Sequence, residues 1–205
     1  MSKLLALIGL ATLAAANPIV ERESRYLPTS GWASDDAATY FEEWFGKQLL
    51  AMREPPLLTP ADLAGRLQRF RLLVLPTFRP AYAVRVDQRT SDRALIRFVQ
   101  LNGAGGYEPG SIVRDKSRTL SVRELNRLNK AIIAASLPSR PRQEETPTAT
   151  NSSGELEIII CADGTMYVFE LLDEHGSTIV TRYCGIEDSL SDLAALTAQL
   201  GRMSD

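Results

Sequence analysis

The chain has 205 residues, 44% of them hydrophobic, with 23 Lys and Arg against 25 Asp and Glu for a net charge of −2. That length suits one domain with a core of its own, and the near-neutral balance argues against nucleic acid or any polyanion as partner of the molecule as a whole. The most apolar run, residues 4–15, is shorter than the ~18 residues of a membrane helix, so no transmembrane segment is expected in the mature protein.

Lys3, the apolar run and Ala14-Ala15-Ala16 together read as a secretory signal peptide over residues 1–16, cut after Ala16. A buried N-terminal helix is the alternative. The expected location is periplasmic or secreted, with residues 17–205 as one domain. Export gives the two cysteines a meaning: Cys161 and Cys184 permit one intramolecular disulfide, worth about 3 kcal/mol in the chain-entropy model, with two buried thiols as the alternative.

Residues 17–33 lack periodicity and read as loop. From Asp35, DDAATYFEEWFGKQLLAM sets Phe41, Phe45, Leu49 and Met52 at helical spacing, with Asp35 and Asp36 at the favourable end of the dipole. The spacing predicts a helix of about 17 residues stopped by Pro55-Pro56, with Tyr40, Phe41, Trp44 and Phe45 as core. Thr59-Pro60 reads as a cap opening a short helix to about Arg69. FRLLVLP, AYAVRVDQ and RALIRFVQL, divided by turn-rich stretches, predict an antiparallel meander. Ser121 and Glu124 form a capping box ahead of a helix from Val122 to about Ser136. Residues 138–154, poor in apolar side chains, read as a mobile excursion. Three more strands are expected near residues 155–161, 165–172 and 177–184, then a final helix capped near Ser189 or Ser191.

The stretch LNGAGGYEPG, residues 101–110, places four glycines within eight positions. A phosphate-binding loop would need a helix starting at its end, with Lys-Ser or Lys-Thr in the Walker form. Here Tyr107, Glu108 and Pro109 follow, the Glu108 carboxylate would repel phosphate, and the next helix starts more than ten residues later. The loop therefore reads as a wide turn needing positive φ and close backbone approach.

The sole histidine, His175, falls in the turn DEHG, where a catalytic base has no orienting partner. One histidine and two separated cysteines do not make a usual zinc set, and no cofactor is indicated. Glu170 lies inside the strand MYVFELL, where burial demands a cation or donors, and Arg182 on the following strand is the candidate partner. The eight arginines of residues 66–97, against Asp87 and Asp92, and the basic stretch 114–142 form a middle region that could attract an anion; solvated surface arginines are the bland reading.

FRLLVLPTFRPAYAVRV, LNGAGGYEPG, TLSVRELNRL, CADGTMYVFELL and TRYCG together resemble a group of small uncharacterised bacterial proteins, many of them exported. In that group a Gly-Gly-Tyr-Glu/Asp-Pro-Gly loop precedes a helix, and an Asp-Gly, aromatic, Glu pattern precedes a strand carrying Arg. Asp163, Gly164, Glu170 and Arg182 match it, over a region from about Phe70 to Gly185. The chain departs from the pattern with Tyr167, where a tryptophan is usual, and with the excursion at 138–154. The resemblance implies one exported module.

The combined expectation is a single α+β domain, an antiparallel sheet of about six strands covered by amphipathic helices. Its expected role is a non-enzymatic binding or accessory module of the cell envelope, whose partner is an envelope protein or an anionic envelope component. The alternative is a carboxylate-dependent hydrolase acting on an envelope polymer, with two acids facing one cleft. Tyr107, Glu108, Asp163, Glu170 and Arg182 are the candidate binding residues; no catalytic or metal-binding residue is assigned.

Overall fold

The structure, a computed structural model, describes residues 25–143, 148–150, 156–158, 163–186 and 188–202. The expected signal peptide and Cys161 lie outside them. The fold is α+β, built on a six-stranded antiparallel sheet. Its strands are β1 (Gln68–Pro76), β2 (Tyr82–Thr90), β3 (Arg93–Leu101), β4 (Ile112–Thr119), β7 (Thr165–Asp173) and β8 (Gly176–Tyr183), in the order β4-β3-β2-β1-β7-β8. A separate two-stranded ladder pairs β5 (Thr148–Thr150) with β6 (Leu156–Ile158).

Two helical layers sandwich the sheet. One face packs beneath α3 (Val122–Ala135) and α4 (Asp188–Arg202), burying Phe70, Leu72, Val84, Ile96 and Phe169 against Leu125, Leu128 and Leu193. The other face lies under the N-terminal helix, which runs as α1 (Asp35–Phe41), a π-helical stretch (Glu42–Gly46) and α2 (Lys47–Ala51). Phe45, Leu49 and Met52 pack there on Leu73, Leu75, Val99 and Val168. Because β1 is covered on both faces, its seven central residues are all buried, and its sequence reads as an apolar run without alternation.

Several expectations change. β4 was not expected as a strand: IVRDKSRT has little apolar content, and its alternating half-buried and exposed pattern is that of a charged edge strand. The strand expected at 155–161 is not part of the main sheet where it is described; Leu156–Ile158 pairs with Thr148–Thr150 instead. The excursion is not wholly free, because Arg142 accepts hydrogen bonds at its carbonyl from the Thr181 amide and hydroxyl, laying residues 137–143 along the outer edge of β8. The Arg142 guanidinium bonds Ser30 O and lies over the Trp32 ring. The helix expected to reach Arg69 is a single 3-10 turn, Pro60–Leu63, ended by positive φ at Ala64 and Gly65 so that β1 can start at Gln68. Tyr40 is 55% exposed rather than core, on the outer side of its helix.

The glycine loop turns a corner and docks it. A Cβ on Gly105 would lie 1.9 Å from Thr77 O, and one on Gly106 would lie 2.7 Å from the Leu75 side chain, so the loop sits directly on the end of β1. Gly106 O accepts from Trp44 Nε1 at 2.7 Å and from Gln48 Nε2 at 2.9 Å, which ties the N-terminal helix to the loop.

Two predictions test this layout. Gly105→Ala is expected to destabilise by about 1–3 kcal/mol more than Gly65→Ala in urea melts, since both sit at positive φ but only Gly105 lacks space. Equal losses would mean the backbone conformation, not the docking, decides. The Glu124 carboxylate, held by Arg118 and by the Ser121 amide, titrates near 2 rather than at its ordinary 4.5. A depressed value stabilises above the unfolded pKa and is lost as the pH falls toward 2. Glu124→Gln is therefore expected to cost about 1 kcal/mol at neutral pH, with the difference from wild type closing by pH 2.

Candidate functional site

Cross-strand register puts Glu170 of β7, Arg71 of β1, Arg85 of β2 and Arg97 of β3 in one row on the face under the N-terminal helix. Arg71 and Glu170 are fully buried and form a fork, Nε to Oε2 at 2.5 Å and Nη2 to Oε1 at 2.7 Å. Glu54 closes the row from above. Its carboxylate lies 2.7 Å from Arg85 Nη1, 2.5 Å from Arg97 Nη1 and 3.5 Å from Arg71 Nη1.

Local sequence explains where Glu54 sits. The helix ends as Arg53 takes a positive φ and the Glu54 amide bonds back to Leu49 O, while Pro55-Pro56 forbid another turn. The freed carbonyls are then capped by sheet arginines: Arg97 donates to Met52 O at 3.2 Å and Arg71 to Pro55 O at 2.7 Å. Burial alone would lower the Arg71 pKa, but Glu170 and Glu54 outweigh it and hold the value above the ordinary one. Toward solvent, Arg97 pairs with the exposed Asp115, while the buried Asp87 draws in Arg69 and Arg85. This network binds helix to sheet and is spent on itself.

Glu170 was expected to pair with Arg182, and the register shows why it does not. Glu170 is opposite Ile179, whereas Arg182 is opposite Tyr167, three residues away, and alternation sends those two side chains to opposite faces. Arg182 donates instead to Pro141 O and Thr181 O, helping to fasten the 137–143 strap. The expected cluster of five residues is therefore divided. Tyr107, Glu108 and Asp163 all lie at the end of the sheet marked by the C-terminus of β1, where Thr77 bonds Gly164 O. Glu108 is exposed and lies 3.5 Å from Lys47. Glu170 lies in the sheet interior on the face under the N-terminal helix, and Arg182 stands on edge strand β8 opposite Tyr167.

At that same end, on the α3 and α4 face, an open cavity of about 420 Å³ carries a different set. Another cross-strand row, Tyr167, Val74, Tyr82, Gln100 and Arg114, spans β7, β1, β2, β3 and β4 and makes its floor. Arg79 from the β1–β2 turn and Arg202 from the last residue of α4 line its walls. The arginines are positioned by aromatic faces: Arg202 lies 5.6 Å from the Tyr82 ring centroid and Arg114 5.7 Å from that of Phe98, while those two rings stack on each other. Burial pushes the Tyr82 phenol up, with Arg202 and Arg79 pulling against it.

Among the described residues, the cavity lining holds three arginines and no carboxylate. Its chemistry is that of an anion site: guanidinium forks suit carboxylate and phosphate oxygens, and a half-enclosed setting strengthens each contact. The sequence registered the basic middle but not this convergence, because Arg79, Arg114 and Arg202 come from three separate elements. His175 is exposed at the β7–β8 turn, its amide bonded to Asp173. Among the described residues, no group of three or more His, Cys, Asp or Glu is placed to hold a metal ion, and no helix is long and apolar enough to cross a membrane.

No family model, curated protein or solved structure matches the chain.

The buried row makes a stability prediction. Arg71→Leu leaves Glu170 and Glu54 without their shared cation and is expected to cost about 3–5 kcal/mol. Arg71→Leu combined with Glu170→Leu is expected to cost less than the sum of the two single changes. Strict additivity in denaturant titrations would show the pair to be uncoupled.

Proposed function

We propose that this chain is an exported, non-enzymatic binding or accessory module of the bacterial cell envelope, and that it captures an anionic envelope component in the three-arginine cavity. One observation carries the reading: Arg79, Arg114 and Arg202 converge on one cavity, and no acidic side chain is among the described residues that line it. Its volume falls within the range of small-molecule sites, about 300–1,000 Å³. The tyrosine floor offers ring faces and hydroxyls to the body of the ligand, so a compact acid with a polar or ring-shaped remainder fits better than a bare ion.

Export rests on the N-terminal segment, with Lys3, the apolar run and cleavage after Ala16. A Cys161–Cys184 bridge belongs to the same proposal. Non-reduced protein is expected to expose no alkylatable thiol, and two thiols reacting without reductant would count against an oxidising destination.

The competing reading, a hydrolase with paired carboxylates, loses its leading acid. Both Glu170 oxygens are engaged by Arg71 and the side chain is wholly buried, so Glu170 faces no cleft.

The test is a thermal-shift titration of the protein with glycerol 3-phosphate, galacturonate, and glucose as the neutral control, each at low and high salt. A ligand at a hundred times its dissociation constant stabilises by about 2.7 kcal/mol. An anionic probe is expected to reach that range, glucose not, and Arg79→Ala and Arg114→Ala are each expected to weaken binding by about tenfold or more. Stabilisation that survives both substitutions, or no response to any acid, would remove the cavity from consideration.

A further inference from the structure

On the opposite side of the same sheet end, Tyr40, Glu43, Trp44, Lys47 and Tyr107 line an open cleft of about 210 Å³. Tyr40, Glu43, Trp44 and Lys47 fall on one side of the N-terminal helix, at spacings of three and four residues that bring side chains together. Tyr107 comes from the glycine loop. The loop cannot drift from the helix, because Gly106 O is held by Trp44 and Gln48 while Gly105 and Gly106 are pressed onto β1. The Trp44 and Tyr107 rings are parallel within 4° at 5.8 Å, and Tyr40 stands at 59° to Trp44 at 5.7 Å. Two aromatic walls therefore meet at an angle.

Packing against the sheet does not account for the exposed rings of this surface. The helix already buries Phe45 and Leu49 toward the sheet, yet Tyr40 is 55% and Tyr107 46% exposed. Glu43 and Trp44 also fall within the π-helical stretch, a deviation that recurs at functional sites because it alters which side chains share a face. The charge at the cleft is biased as well: Glu43 and Glu108 against Lys47 leave −1, with Lys47 paired to Glu108.

We propose that this cleft binds a quaternary ammonium group. Aromatic ring faces are electron-rich and attract a cation without a hydrogen bond, and Glu43 supplies the counter-charge. A methylated ammonium suits the cleft better than a lysine ammonium, which is more strongly hydrated and would forfeit donors against ring carbons. The cation preference separates this cleft from the arginine cavity, and the two share no lining residue. The inference therefore stands independently of the anion reading.

The test uses the full chain carrying Trp32→Phe, which leaves Trp44 as the sole tryptophan, and follows its fluorescence during titration with choline chloride. The comparison ligand is 3,3-dimethylbutan-1-ol, which has the same shape without the charge. Choline is expected to shift the emission saturably and to bind at least about tenfold more tightly than the neutral analogue. Tyr40→Ala and Glu43→Gln, both at exposed side chains and expected to leave the melting temperature unchanged, should each weaken choline by about 3- to 10-fold. Cosedimentation with phosphatidylcholine but not phosphatidylglycerol vesicles would identify a lipid head group as the source; choline binding without cosedimentation would identify a free ligand. The inference is overturned by equal binding of choline and its neutral analogue, by binding unchanged in both variants, or by a response to cellobiose and none to choline.

Discussion

Arg71 is a full positive charge with no solvent exposure in the middle of a six-stranded sheet, and the arrangement of the chain follows from how that charge is met. Glu170 on the neighbouring strand takes the guanidinium edge-on with two hydrogen bonds. Glu54 comes from another layer and holds Arg71, Arg85 and Arg97 together, while the same arginines cap carbonyls freed where the helix ends. An unpaired charge in such a setting would cost several kcal/mol. The N-terminal helix must therefore stop near Met52, and its end must lie over the row. Apolar packing of Phe45 and Leu49 supplies adhesion, whereas the ion row fixes position.

Fixing the helix has consequences at the sheet end. With its C-terminus anchored over the arginine row, the middle of the helix reaches the glycine loop, and Trp44 and Gln48 find the carbonyl of Gly106. On the other face, α4 ends where Gly201 packs on Val84 and Phe98, which delivers Arg202 to the rim of the cavity. One end of the sheet thus offers two unlike surfaces, a cationic cavity under α4 and an aromatic, mildly anionic cleft beside the N-terminal helix.

Local pattern carried much of the fold. The period of Phe41, Phe45, Leu49 and Met52 located the first helix, the Ser121–Glu124 box set the start of α3, and His175 fell in the β7–β8 turn. Where the local signal was weak, the reading failed. β4 carries charges on both faces because it is an edge, and Tyr40 adjoins the core aromatics in sequence while lying on the cleft side of the helix, 55% exposed. The π-helical stretch also lay beyond reach, since one extra residue in a turn leaves no mark on a short apolar pattern.

The sites show the same boundary more sharply. Sequence by itself determined that Glu170 stands within a strand and, once buried, needs a cation or donors, that the middle of the chain is rich in arginine, and that the glycine loop is a corner. These are properties of single residues and short spacings, set by side-chain chemistry and backbone sterics. Tertiary structure alone decided that the cation is Arg71 rather than Arg182, since strand order and pairing register determine which side chains share a face. It likewise decided that Arg79, Arg114 and Arg202 converge, and that Tyr40 and Trp44 meet Tyr107. Each of those encounters joins elements far apart in the chain, and no local periodicity records which strand lies beside which.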